Sequence, residues 1–417
     1  MIAQGLTQLR TQADASPRVG PRIRLFNVKF SPNLGDGLLS ECLEQALIDG
    51  GADADTWSVD LAARTAYGEG AEGRALKMRV LGTFPDPVRK LAVRAPLAIQ
   101  GRRFWMPHYL RSLEGAQCAV IGGGNLIADL DLNFPTKLSL ALAAAAWRDL
   151  PVFIYGCGVS SGWSRQGLTL LKSAVRRGNI RRVWVRDERS RLIWNDLIGQ
   201  DTSLPADTVR DPGLLASTRY DIRPNPFARS EPLIGLNLTS PLAVRYHASH
   251  APGEAELTEW YVALARSLLA RGYRLAVFSN GSPEDREYTR SLHAPLMQLD
   301  KLGRVSFPVI DTPAELTRLI ASCAGIAAFR MHAIIAAYSC GVPFLALSWD
   351  PKLESFVRSV DRGDWLCTPV RTSSNNAGDQ LIRAMDQGIA PGERARIADQ
   401  TRQGVSDLLA EINRAIG

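Results

Sequence analysis

The sequence predicts an α/β protein built from two halves, each a parallel β-sheet covered by helices. Three observations support this fold class. Short apolar or β-branched runs alternate with longer stretches of helical periodicity. The alternation stops at a proline-rich stretch, residues 220–232, and then restarts. With 417 residues the chain is long enough for two or three domains.

The first half alternates strands and helices along its whole length. Its strands are predicted at residues 22–29, 118–121, 152–155 and 182–186. Its helices are predicted at residues 36–48, 136–148, 166–177 and 189–198. Because strand–helix–strand units join parallel strands, this order predicts a Rossmann-like sheet with helices on its faces.

The second half repeats the pattern after the linker. Strands are predicted at residues 233–238, 275–278, 305–308, 326–329 and 343–347. Helices are predicted at residues 254–271, 283–296, 312–322 and 331–340, with a final helix or pair at 393–416. The helix at 312–322 has Asp311 or Thr312 as its N-cap, with Glu315 in its first turn.

These patterns define the predicted domains. An N-terminal Rossmann-like domain covers residues 1–219, and a linker covers 220–232. A C-terminal Rossmann-like domain covers 233–385, and a helical segment covers 386–417. Open parallel sheets bind ligands beyond the carboxyl ends of their strands, so we expect a ligand cleft between the two domains.

Composition narrows the class of partner. The chain has 49 Lys plus Arg and 42 Asp plus Glu, a net charge of +7 that is spread along its length. This charge suits an anionic small substrate, and no basic run interleaved with aromatics predicts nucleic-acid binding. The six cysteines contain no CxxC pair, so we expect free thiols and no metal site.

Location is predicted from what the sequence lacks. The N-terminus has no long apolar run, and the longest apolar run, near residues 138–147, is too short to cross a bilayer. We therefore expect a cytoplasmic protein. The basic, partly apolar stretch at 88–105 is either a solvated surface or a contact with the inner face of an anionic membrane.

Candidate site residues follow the predicted strands of the first half. Asn33 and Gly35 suit a tight turn, and Asp36 lies where the helix begins, as either its N-cap or a residue facing the cleft. Gly122, Gly123 and Gly124, followed by Asn125, form either a simple tight turn or a loop whose amides meet an anion at a helix start.

Cationic residues and a histidine follow other strands. Arg186 either binds a carboxylate or phosphate or pairs with a neighbouring acid such as Asp187. Arg330 and His332 open a helix that is otherwise small and apolar, which favours a functional role, because Arg suits an anion and His suits proton transfer. Lys352 is a further candidate anion contact.

Taken together, the motifs resemble the polysaccharide pyruvyl transferase family. They appear in the family's order, between about residues 22 and 360, and as a set they are more specific than any one alone. The matching segments are Asn-Leu-Gly-Asp at 33–36, Ile-Gly-Gly-Gly at 121–124, Val-Arg-Asp at 185–187 with Ser190, Asp-Pro at 211–212, Arg-Met-His at 330–332, Gly-Val-Pro at 341–343 and Asp-Pro-Lys at 350–352.

The resemblance implies a glycosyltransferase-B-like fold and transfer of pyruvate from phosphoenolpyruvate to two hydroxyls of a sugar, giving a cyclic ketal. The acceptor would belong to a bacterial exopolysaccharide or its precursor, which can be lipid-linked. On this reading no cofactor is needed, and the arginines, Lys352 and the glycine amides bind the anionic donor. His332 would act as the acid and Asp36 as the base, or the two roles are exchanged.

Two alternatives remain open. A glycosyltransferase of the same fold would use Arg330 to bind the diphosphate of a nucleotide sugar, although the acidic residue expected to hold a ribose is not evident in the second half. A non-catalytic subunit of a polysaccharide assembly complex would tolerate substitution of Arg330 and His332. The acceptor sugar, the stereochemistry and the oligomeric state are not readable, and residues 62–107 match no motif.

Overall fold

The chain forms two six-stranded sheets in which every strand pair is parallel. This computed structural model describes residues 20–69, 100–129, 131–222, 232–242, 253–348 and 351–417. Helices connect the strands and cover the sheets. The predicted class, two parallel α/β sheets, is confirmed.

The first sheet has the strand order β2-β1-β3-β4-β5-β6. Its strands are β1 (Ile23–Asn27), β2 (Trp57–Asp60), β3 (Cys118–Gly122), β4 (Val152–Cys157), β5 (Ile180–Val185) and β6 (Ala206–Thr208). Its helices are α1 (Leu34–Asp49), α2 (Met106–Ser112), α3 (Asn133–Trp147), α4 (Arg165–Arg177) and α5 (Glu188–Trp194). Short helical turns lie at Gly101–Trp105, Asn195–Gly199, Gln200–Thr202, Pro212–Leu215 and Ala216–Arg219.

The second sheet has the strand order β12-β11-β10-β7-β8-β9. Its strands are β7 (Leu233–Asn237), β8 (Arg274–Phe278), β9 (Val305–Ser306), β10 (Gly325–Ala328), β11 (Phe344–Leu347) and β12 (Leu366–Cys367). Its helices are α6 (Glu254–Ala270), α7 (Pro283–Ser291), α8 (His293–Leu299), α9 (Pro313–Ser322), α10 (Met331–Cys340), α11 (Pro351–Ser359), α12 (Ser374–Gln387) and α13 (Pro391–Ile416). A short helical turn lies at Gly363–Trp365.

The differences from the predicted elements are local. The edge strands β2, β6 and β12, which have only four, three and two residues, were not predicted. Helices α2, α11 and α12 were not predicted either. The predicted helix at 283–296 is two helices, α7 and α8, which meet at Leu292. Thr312, not Asp311, caps α9, and Glu315 completes the capping box. The end of the chain is one helix, α13, rather than a pair.

The last helix connects the two halves. Although α13 follows the second sheet, its residues Val405, Leu408 and Ile412 are buried in a core with Leu25 of β1 and Tyr155 of β4. A second buried core joins residues of α1 to residues of α10. The halves therefore share apolar contacts. Most of the predicted linker, residues 223–231, lies outside the described residues, so the predicted domain boundaries stay predictions.

Strand order tells us where ligands are expected. In the first sheet the strands that follow β2 lie on the opposite side of β1, so the strand order reverses between β1 and β3. In the second sheet the strand order reverses between β7 and β10. Ligands of doubly wound sheets bind at such switch points, beyond the carboxyl ends of the strands. The segments after β1 and β3 contain Asn33 and Gly123, and the segment after β10 contains Arg330. The predicted site residues thus lie at both switch points.

Candidate active site

The amino ends of α1 and α10 meet between the two halves. Asn33 caps α1, and its side-chain oxygen accepts a hydrogen bond from the Gly35 amide at 3.2 Å. A Cβ atom on Gly35 would lie 2.6 Å from both Cβ and Nδ1 of His332, in the first turn of α10. Only glycine permits this approach. Because helix amino ends carry partial positive charge, their meeting point favours an anion.

Asp36 does not cap the helix, which corrects one reading of the sequence. Asn33 fills the N-cap position, and Asp36 lies in the first turn of α1. Its Oδ1 atom is 3.8 Å from Nδ1 of His332, slightly beyond hydrogen-bond range. The carboxylate thus faces the imidazole from the other half of the molecule. A small closing movement would let Asp36 orient the ring through Nδ1.

His332 is a buried, neutral imidazole. Its side chain is only 9% exposed, and Nε2 has no hydrogen-bond partner among the described residues. Burial, followed by the positive charges of Arg186 and Arg330, lowers the pKa of His332 to about 3. An acid role needs a proton that this ring does not carry near neutral pH. The acid role therefore holds only if a bound anion raises the pKa, whereas the neutral ring is ready to act as a base.

Arg330 is held by a buried carboxylate. Its Nε and Nη2 atoms donate to Oδ2 of Asp285 at 2.8 and 2.5 Å, and Nη2 also lies 3.3 Å from Oγ of Ser282. The Asp285 side chain is fully buried, and its other oxygen accepts the Ser240 amide at 2.8 Å. Burial alone would lower the pKa of Arg330, but Asp285 more than offsets this, so the pKa is raised. Much of the charge predicted to bind an anion is therefore already paired.

Arg186 is held much less completely. Its Nε donates to Oδ2 of Asp187 at 3.3 Å, while its Nη2 is buried and finds no partner in the described part of the chain. A Cβ on Gly158 would lie 2.5 Å from Nη2 and 2.8 Å from Oδ1 of Asn125. The Asn125 oxygen is also buried and unpartnered within the described residues. Gly158 therefore makes room for a guanidinium and an amide that both retain hydrogen-bonding capacity.

Asp211, part of the Asp-Pro segment at 211–212 that contributes to the family resemblance, is a buried carboxyl. One oxygen accepts the Gly213 amide at 2.9 Å, and Oδ2 is buried without a partner among the residues described. Burial raises the pKa of Asp211 to about 6, although the nearby Arg186 acts in the opposite direction. Asp211, Arg186 and Met331 of α10 line one small cavity of about 20 Å³. The carboxyl thus belongs to the same cluster as Arg186.

The glycine triplet does not begin a helix, contrary to the prediction. After β3 the next helix, α3, starts only at Asn133. Gly123 and Gly124 have positive φ angles of 80° and 72°, which glycine adopts without strain. The Gly123 amide donates to Tyr155 at 3.1 Å, and the Gly124 carbonyl accepts from Gly158 at 2.7 Å. The triplet therefore ties the loop after β3 to β4 and positions Asn125 beside Arg186.

Lys352 lies in the first turn of α11, a half-buried position. Helix α11 packs against α5, which follows Arg186, and against α10, which carries His332. Its role as an anion contact stays a prediction, and Asp350 of the same motif lies outside the described residues. Among the described residues, no three His, Cys, Asp or Glu side chains lie close enough together to hold a metal ion. No described helix has the length and apolarity needed to span a bilayer.

Two participants were given no role from the sequence. Asp285 looks like an ordinary acidic residue in the first turn of α7, and its burial against Arg330 depends on how β8 and β10 are placed. Asp211 stood out only as part of the Asp-Pro segment. Gly158 is noticeable in the sequence, since a glycine after a predicted strand permits close approach of another group, but the sequence does not show that this group is Arg186.

Comparison with solved structures supports the fold. A UDP-N-acetylglucosamine 2-epimerase from Rickettsia bellii gives a TM-score of 0.52 at 10% identity, over 95% of this chain and 96% of that one. The UDP-GlcNAc 2-epimerase from Neisseria meningitidis bound to UDP-GlcNAc gives 0.51 at 13% identity, over 94% and 99%. S. aureus MnaA with UDP gives 0.50 at 11%, over 92% and 91%. Such similarity shows a shared glycosyltransferase-B-like fold, as predicted.

Sequence comparison identifies the family. No curated protein matches the chain. The family model described as polysaccharide pyruvyl transferase matches residues 33–351, which is well over half of the 417 residues. The match begins at Asn33, the cap of α1, and ends in the first turn of α11, so it includes every residue brought together above from Asp36 to His332. The chain belongs to the polysaccharide pyruvyl transferase family.

Proposed function

We propose that the protein transfers pyruvate from phosphoenolpyruvate to two hydroxyls of a sugar in a bacterial exopolysaccharide or its precursor, forming a cyclic ketal. One observation supports this most strongly. Three buried polar atoms from both halves, Nε2 of His332, Nη2 of Arg186 and Oδ1 of Asn125, have no partner within the described residues. Buried polar atoms are normally hydrogen-bonded, so such a group is expected to have a ligand.

The charges suit an anionic donor. Phosphoenolpyruvate carries a carboxylate and a phosphate, and Arg186 offers a buried guanidinium donor that lines one small cavity with Met331 at the amino end of α10. Arg330, paired with Asp285, adds positive charge near His332. Lys352, in the first turn of α11, is a further candidate contact for the anion. A bound phosphate would offset the positive charges that keep the imidazole neutral, and the pKa of His332 would rise.

The chemistry needs a group that takes and returns a proton. The imidazole of His332, protonated once the phosphate is bound, supplies a proton to C3, and the π pair of the C2–C3 double bond forms the new C–H bond. The first hydroxyl then forms a C–O bond at the electron-poor C2, and its proton returns to the neutral His332. Asp36, opposite Nδ1, stabilises the ring while it is charged.

Phosphate release completes the ketal. The C2–O bond to phosphate breaks, and the bonding pair leaves with the phosphate. The second hydroxyl then bonds to C2, and its proton goes to the departing phosphate. One donor and one diol thus give one ketal and one hydrogen phosphate. Arg186 stabilises the negative charge that grows on the leaving group.

The test is release of phosphate from phosphoenolpyruvate in the presence of bacterial lipid-linked oligosaccharides. We expect acceptor-dependent release by the wild type and a loss of at least about a hundredfold in His332→Ala, because general acid–base residues contribute that much. His293→Ala is the matched control, since His293 is exposed on α8 and stacks only on Phe307.

Three outcomes would contradict the proposal. Equal loss in His293→Ala would indicate a general effect of the substitution. Acceptor modification that needs a nucleotide sugar, and not phosphoenolpyruvate, would favour the glycosyltransferase alternative, which the similarity to S. aureus MnaA, solved with UDP, keeps open. Full activity of His332→Ala would show that His332 takes no part in the reaction.

A further inference from the structure

A larger cavity lies away from the candidate active site, where the two halves are joined. It encloses about 260 Å³ and is lined by three elements: the carboxyl-terminal part of α1, the Ala216–Arg219 turn with its preceding residue, and the middle of α13. We call it the junction pocket and define it by Cys42, Ala46, Leu215, Arg219, Arg402 and Val405.

The floor of the junction pocket is apolar. Cys42, Leu215 and Val405 are 1%, 5% and 2% exposed, and Ala46 lies beside them. Burial raises the pKa of the Cys42 thiol, which therefore stays uncharged. A floor of this kind offers contact to a ring or a short hydrocarbon chain, because burial of apolar surface stabilises binding.

The rim carries two guanidinium groups. The Nε atom of Arg219 is buried and finds no partner among the described residues, and its Nη2 is 3.7 Å from Glu41, beyond hydrogen-bond range. Arg402 donates to Asp399 at 2.7 Å and to Thr218 at 3.3 Å. The rim also includes Asp49, whose carboxylate accepts a hydrogen bond from Gln45. Both cations therefore have an acidic neighbour, and the donor left for an anionic group at this rim is the buried Nε of Arg219, which is unpartnered within the described residues.

We propose that the junction pocket binds a small amphipathic anion, an apolar ring or short chain that carries one carboxylate, sulfonate or phosphate. The apolar floor receives the body and Arg219 with Arg402 receives the charge. The volume suits a ligand of one or two rings, near the lower end of natural small-molecule sites. This proposal does not depend on the proposed function.

The position of the pocket gives such a ligand a regulatory consequence. Its walls come from α1 and from α13, and α13 connects back from the second sheet to the first. Helix α1 carries Asp36 at its opposite end, facing His332. A ligand in the junction pocket therefore stabilises one arrangement of the two halves, and with it one distance between Asp36 and His332.

The test uses the fluorescent probe 8-anilinonaphthalene-1-sulfonate, which combines fused rings with one sulfonate. We expect one saturable site on the wild type and a probe-induced rise in the melting temperature, since a ligand of the folded state stabilises it. Ala46→Phe fills the pocket and should weaken binding at least about tenfold. Arg402→Gln should weaken it severalfold, and Arg396→Gln, exposed on the same helix, should not.

The results separate the proposal from its alternatives. Unchanged probe affinity in Ala46→Phe, or equal losses in Arg402→Gln and Arg396→Gln, would overturn it. Displacement of the probe by inorganic phosphate alone, at equal concentration, would also overturn it, because the apolar floor would then contribute nothing. If Ala46→Phe fails to fold by circular dichroism, the comparison of Arg402→Gln with Arg396→Gln decides.

Discussion

Arg186 and Arg330 each follow a buried strand, one in each half, yet their surroundings differ. Arg330 makes three contacts, two of them to the fully buried Asp285. Arg186 makes one contact of 3.3 Å to Asp187 and keeps a buried, unpartnered Nη2 within the described region. The same residue type thus serves two purposes. Arg330 stabilises the fold and contributes positive charge near His332, whereas Arg186 retains a hydrogen-bond donor for a ligand.

The largest expected effect separates the two arginines by stability. Arg330→Gln leaves the buried Asp285 carboxylate without its cation and should lower the free energy of unfolding by about 3–5 kcal/mol. Arg186→Gln should change it by no more than about 1 kcal/mol, because Arg186 gives Asp187 only one hydrogen bond of 3.3 Å and Asp187, unlike Asp285, is partly exposed. Urea unfolding of both variants measures this. Equal losses would break the comparison.

Asp211, an acidic neighbour of Arg186, should make the stability of the protein depend on pH. The pKa of Asp211 is raised to about 6 in the folded protein, so the folded state holds a proton that the unfolded state releases between about pH 4 and pH 6. The stability that the protonated Asp211 carboxyl contributes is therefore lost as pH rises through that window. Asp211→Asn should stabilise the protein by about 2–3 kcal/mol near pH 8 and by little near pH 4.

Urea unfolding at both pH values measures the Asp211 effect. Asn retains an oxygen that can accept the Gly213 amide, so the turn it caps should persist. A gain of the same size at both pH values would show that ionisation of Asp211 is not its cause.

A smaller effect tests the space around Arg186. In Gly158→Ala the new methyl would lie 2.5 Å from Nη2 of Arg186 and displace it. Because the end of this side chain can move, stability should change by less than about 1 kcal/mol, while affinity for phosphoenolpyruvate should fall about tenfold. Gly162→Ala is the control, since a Cβ there meets nothing within 4 Å. Calorimetric titration would expose an equal fall in both variants, which would contradict this account.

The sequence predicted the architecture well because periodicity reports burial. The helix at 331–340 has the predicted bounds, and α1 begins two residues before its prediction. The edge strands β6 and β12 were missed because three or two residues carry too little periodicity. Strand order, which places the two switch points, arises from contacts between distant residues and was not readable.

The sequence predicted which residues form the candidate site better than it predicted their partners and protonation states. His332, Arg330, Arg186 and Asp36 were found because polar residues after buried strands are conspicuous. Their partners were not: Asp285 meets Arg330 across 45 residues of sequence. Whether His332 carries a proton depends on its burial and on Arg186 of the other half as well as on the adjacent Arg330, so the local pattern alone could not reveal it.

Calorimetric titration with phosphoenolpyruvate tests the central claim, that Arg186 receives an anionic donor, most directly. The wild type should bind it, and Arg186→Gln should bind it about a hundredfold more weakly, a difference near 2.7 kcal/mol. Arg191→Gln, an exposed arginine on α5 paired with Glu188, should bind as the wild type does. Wild-type affinity in Arg186→Gln, or binding of UDP with none of phosphoenolpyruvate, would contradict the account.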